Sequence, residues 1–111
     1  MLFGLFENYT STDQPSAKRK KFPVLTVNKI SNRVFDIVLA KVKEEGFYNI
    51  TANPEYFDIY GEKAGFELSI QICATGTKTI VEMSVYGEHR RGQTRKFFKR
   101  YYHLFTSLLN E

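Results

Sequence analysis

Between Phe66 and Tyr86 the chain alternates apolar and polar residues with a period of two. Phe66, Leu68, Ile70 and Ile72 share one face, and Glu67, Ser69 and Gln71 share the other. The return leg repeats the pattern with Val81, Met83 and Val85. Alternation of this kind, rich in β-branched residues, predicts half-buried strands. The connection from Ala74 to Lys78 contains Gly76, which can take the positive φ of a short hairpin turn. An antiparallel hairpin is therefore expected here.

Elsewhere the period changes to that of a helix. From Ser31 to Glu45, Val34, Phe35, Ile37, Val38, Leu39 and Val42, joined by Ile30, form a wide apolar stripe. Ser31 or Asn28 is the expected N-cap, and Gly46 stands where a helix-ending glycine belongs. A second amphipathic helix is expected from Gln93 to Asn110. Its apolar side carries Phe97, Phe98, Tyr101, Tyr102, Leu104, Phe105, Leu108 and Leu109, and its opposite side carries Lys96, Lys99, Arg100 and His103. Phe22 to Val27 reads as a short strand, with Pro23 suited to its start or to an edge. Phe47 to Ala52 leads into an Asn53-Pro54 turn. Tyr56 to Tyr60 reads as a strand, with Phe57 and Ile59 on one side and Tyr56 and Tyr60 on the other. The expected architecture is a single α+β domain over residues 22–111, ordered β-α-β-β-β-α. The last strands form an antiparallel meander, and both helices cover one face of the sheet. Residues 1–21, polar and aperiodic after the first six, read as a flexible arm.

The chain has 111 residues, 42% of them hydrophobic and 15% aromatic, enough for one core without covalent staples. A lone cysteine, Cys73, excludes an internal disulfide and points to a reducing compartment. No apolar run approaches the roughly 18–20 residues of a membrane span. Met1 to Phe6 is apolar but lacks a preceding basic region, so no secretory signal is read. The expected location is cytoplasmic. A membrane-peripheral alternative combines the apolar hexapeptide with the basic cluster Lys18–Lys21.

Net charge is +4, but it is segregated. The run from residue 89 to 103 holds Arg90, Arg91, Arg95, Lys96, Lys99 and Arg100 with no acid. Cations at a helix N-terminus oppose the helix dipole, so helix stability does not explain them. With the free amides of that terminus they form a candidate anion-binding collar for nucleic acid or an acidic membrane. The competing reading pairs them with Glu82, Glu88 or acids at strand ends.

Candidate chemistry changes the picture little. There is no Gly-rich phosphate loop, no nucleophile elbow and no His-x-x-x-His or Cys-x-x-Cys spacing, so no catalytic residue, metal ligand or cofactor is assigned. Asp58, Glu62 and Glu67 could gather near one end of the sheet, and Cys73 and His103 read as an inert small residue and a solvated one. The stronger candidate is a patch of Tyr56, Tyr60, Ile80 and Tyr86 on the sheet's second face. Such amphipathic patches serve protein partners or homodimers. A non-enzymatic binding module is the expected class.

The helix ending Val42-Lys43-Glu44-Glu45-Gly46-Phe47, the strand Thr79 to Tyr86 and the basic-to-apolar closing helix resemble small bacterial domains of unknown function. Their pattern is that of a shortened helix-grip fold, similar to START-type lipid-binding domains. That resemblance implies an apolar ligand between helix and sheet.

Overall fold

The computed structural model describes residues 9–12, 22–87 and 93–110. It is an α+β domain with a six-stranded antiparallel sheet and two helices. The strands are β1 (Tyr9–Ser11), β2 (Leu25–Val27), β3 (Tyr48–Asn53), β4 (Asp58–Lys63), β5 (Phe66–Thr75) and β6 (Lys78–Tyr86). The helices are α1 (Ser31–Glu44), between β2 and β3, and α2 (Thr94–Leu109) at the end.

The expected hairpin is the centre of the sheet. β5 and β6 are joined by Gly76 and Thr77, and Gly76 has φ +63°. Register runs from Thr75 against Lys78 to Glu67 against Tyr86. β4 and β3 extend the sheet beyond β5, while β1 and β2 lie end to end along the other edge of β6.

Two of these strands were not expected. β3 occupies the stretch read as a lead-in to a turn. Residues 48–53 alternate apolar with polar, but a register shift between Tyr48 and Thr51, with Asn49 at φ +50°, puts Tyr48 on the same face as Thr51. β1 falls within the segment read as an arm, and its three residues pair with Ser84, Val85 and Tyr86. The apolar hexapeptide, the cluster Lys18–Lys21, His89, Arg90 and Arg91 lie outside the described residues.

One face of the sheet is dry. Ile59, Leu68, Ile70, Ile72, Val81, Met83 and Val85 meet Val34, Val38 and Val42 of α1 and Phe98, Tyr101, Phe105 and Leu109 of α2 in one core. Each large side chain fully buried this way contributes roughly 1.5–3 kcal/mol. The interface is packed with rings. Phe66 stacks on Phe97 at 4.3 Å, and Phe47 meets Tyr101 edge-on at 5.2 Å. The space between helix and sheet, where a lipid would sit, is occupied by these side chains.

The helix ends show how sequence sets local structure. Gly46, at φ +87°, follows α1, and the amides of Glu45 and Gly46 bond back to Lys41 O and Lys43 O. At the other end Ile30 holds the cap position without a side-chain cap bond. The hydroxyl of Ser31, expected to cap, instead lies 3.3 Å from that of Thr79, joining helix to sheet. The last carbonyl of α2, at Leu109, accepts from Lys29 Nζ at 2.9 Å. Among the described residues no helix is long and apolar enough to cross a membrane.

Candidate functional site

Both helices lie on the dry face, and no described element lies over the other. Strand register sorts the residues of this open face into rows that cross the strands. The central row is made of hydroxyls: Ser11 on β1, Ser84 on β6, Ser69 on β5, Tyr60 on β4 and Thr51 on β3. On one side of it runs Glu82, Gln71, Asp58 and Asn53. On the other runs Tyr9, Tyr86, Glu67, Glu62 and Tyr48. A concavity of about 510 Å³ lies on this face, lined by the hydroxyl row and by Glu82, Gln71, Asp58 and Asn53. At the β1–β2 edge it is bounded by Tyr9, Thr12 and Val24.

Hydrogen bonds fix the face. Asn53 Nδ2 donates to Asp58 Oδ1 at 2.9 Å, and Gln71 Nε2 donates to the carbonyl of Tyr56 at 2.8 Å. The Tyr60 hydroxyl lies 3.0 Å from Glu67 Oε1 and 3.3 Å from Glu62 Oε2, and Asn49 Nδ2 reaches Glu62 at 3.4 Å. Glu62 and Glu67 are direct cross-strand neighbours, an arrangement that like charge disfavours. Donation from Tyr60 offsets part of that repulsion.

The same contacts act on the phenol. Burial first, then the hydrogen bond to Glu67 and the negative charges of Glu67 and Glu62, push the Tyr60 hydroxyl up from 10.0 to about 12. The folded state thus keeps a proton that the unfolded chain releases near pH 10.0. The stability from this retention is fully present below that pH and is lost as pH rises through about 12. The stability difference between wild type and Tyr60→Phe should therefore shrink across this window in chemical denaturation. Glu67→Gln should shift the ultraviolet tyrosinate titration of Tyr60 to lower pH. A wild-type titration with every tyrosine at its ordinary value would contradict the cluster.

The predicted interaction patch is divided. Tyr60 and Tyr86 share the open face, linked through Glu67, which pairs with Tyr86 and accepts from Tyr60. Ile80 shares the face but sits near the hairpin turn between Thr26 and Cys73, beyond the row of Glu82 and Gln71. Tyr56 is not on the strand with Tyr60. Residues 54–57 are a turn, Phe57 adopts φ +54°, and β4 begins only at Asp58. Tyr56 is 70% exposed at the rim of the sheet. Sequence reading put Ser69 and Gln71 on this face without assigning them to the site, and it missed Ser84 and Thr51. Ser69, Ser84 and Gln71 could have been aligned with Glu82 from the hairpin alone, but the full rows require the pairing of β4, β3 and β1.

The described residues of the basic collar, Arg95, Lys96, Lys99 and Arg100, lie on α2, on the side of the sheet away from this face. Lys96, Lys99 and Arg100 are exposed. Two of its cations pack on rings: the Arg95 guanidinium lies 4.8 Å from the centre of Phe22, and that of Arg100 5.4 Å from the centre of Tyr101. Aromatic contact gives Arg95 a role at a helix start where the dipole alone would disfavour it. Of the candidate acids, Glu62 and Glu67 come together while Asp58 stands in a different row. Among the described residues no group of three or more His, Cys, Asp and Glu side chains could hold a metal. Cys73 is exposed on the open face, and His103 is exposed on α2.

Comparison with known protein families, with curated proteins and with solved structures finds no match to this chain.

Proposed function

We propose that this chain is a non-enzymatic binding module that takes a protein partner on the open face of its sheet. The observation that carries the proposal is the concave face, covered by no described element and crossed by a row of five hydroxyl residues. An antiparallel sheet commonly leaves one face to solvent. This one is hollowed, with hydroxyl and amide groups along its floor and tyrosines toward its margins. Side chains of this kind bond to a partner's main chain without large side-chain ordering costs. The filled helix–sheet interior gives no support to an apolar ligand held inside, which moves the binding role to the surface.

Ser69 lies at the middle of the hydroxyl row and is exposed, so Ser69→Arg should fold while obstructing the concavity. Immobilised wild type, Ser69→Arg and a Lys96→Glu/Lys99→Glu variant would be exposed to the same cell extract. The expected result is a protein retained by wild type and by the helix variant, and reduced about tenfold or more by Ser69→Arg. Equal retention by all three would remove the open face as the docking surface.

A further inference from the structure

We infer that the partner docked on the open face presents lysine or arginine side chains to it; this rests on the reading of that face as the docking surface. Asp58, Glu62, Glu67 and Glu82 stand on the face in two rows, with the hydroxyls of Ser84, Ser69 and Tyr60 between them. Among the described residues none of the four forms an ion pair. Lys78, at the hairpin turn, is the one cation among the described residues of this face.

That distribution is not what sheet stability asks for. Opposite charges across strands stabilise and like charges destabilise, yet Glu62 faces Glu67 directly. The chain does not lack cations, since it has 16 lysines and arginines against 12 acids. On the described α2 they are gathered away from the open face, where Lys96, Lys99 and Arg100 are exposed. One surface therefore attracts cationic groups and repels polyanions, and it coincides with the concavity. Tyr60 and Asn49 already satisfy part of the Glu62–Glu67 pair, whereas Asp58 and Glu82 line the hollow itself. A basic protein segment would set its main chain on the hydroxyl row and its cations against the carboxylates on either side.

The test uses the full chain, isotope-labelled for NMR, and three synthetic peptides of equal length alternating serine with lysine, glutamine or glutamate. The lysine peptide is expected to shift the resonances of Ser69, Gln71 and Ser84 and to bind more weakly as salt is raised. A Glu67→Gln/Glu82→Gln variant should bind it about tenfold more weakly, because two exposed charge contacts are lost. Both substitutions are at exposed positions, and the variant's spectrum reports directly whether it is folded. If the glutamine peptide binds equally well at the same residues, the cationic assignment fails while the open face remains a docking surface. If the lysine peptide shifts none of these resonances, or the double variant binds it undiminished, the assignment also fails. The retention experiment with Ser69→Arg then decides the docking surface separately.

Discussion

Phe105→Ala should destabilise the fold by about 3–5 kcal/mol, the cost of removing a fully enclosed ring and leaving its cavity. Phe105 is 1% exposed and lies in the core cluster beside Tyr101, with ring centres 6.4 Å apart. It belongs to α2, which closes the dry face of the sheet over β6. Stabilities of small domains are about 5–15 kcal/mol, so this one change could remove most of the margin. Leu108→Ala, on the same helix but only partly buried, should cost clearly less. Urea denaturation of the two variants measures the difference. A Phe105→Ala cost below about 1 kcal/mol would mean that α2 does not pack as described.

Lys63→Ala should cost about 2–3 kcal/mol for a different reason. Lys63 Nζ donates to the carbonyl of Glu45 at 2.6 Å and to the Tyr101 hydroxyl at 2.7 Å. It also lies 5.6 Å and 5.4 Å from the ring centres of Phe47 and Tyr101. One ammonium group thus ties the end of α1, strand β4 and helix α2 together. Its removal takes a hydrogen-bond donor from a hydroxyl on a residue with 0% exposure and from a carbonyl at a helix end. Lys63→Met keeps the apolar stem and should recover the packing but not the hydrogen bonds. Tyr101→Phe in the Lys63→Ala background should cost less than the two single changes added, because no stranded hydroxyl remains. Strict additivity would show that the two groups do not interact.

How much of this was legible in the sequence depended on whether a residue's surroundings were local. The β5–β6 hairpin was readable because strict alternation from Phe66 to Ile72 and from Val81 to Val85 flanks a short turn that needs a positive φ. Both helices were readable from their apolar stripes, and Gly46 marked the end of α1 as expected. β1 was not, because three residues gain strand character only from the edge of β6. β3 alternates in sequence but is an edge strand with no fully buried residue, so no core set marks it, and Phe57 at φ +54° placed Tyr56 in a turn. The candidate site was half visible. Tyr60 and Tyr86 were placed on the outer face by alternation, but the row that joins Thr51, Tyr60, Ser69, Ser84 and Ser11 exists only through strand register. Side chains distant in sequence acquire a common role there because four separate pairings align them.

The most direct measurement on the open face is carboxyl footprinting of the full chain, alone and with the partner retained in the Ser69→Arg comparison, read residue by residue by mass spectrometry. Asp58, Glu67 and Glu82 should lose reactivity in the complex, while Glu44 on α1 and Glu55 in the β3–β4 turn keep theirs. Unchanged reactivity at Asp58, Glu67 and Glu82, with protection confined to Glu44, would place the partner on the helices and contradict a docking surface on the open sheet.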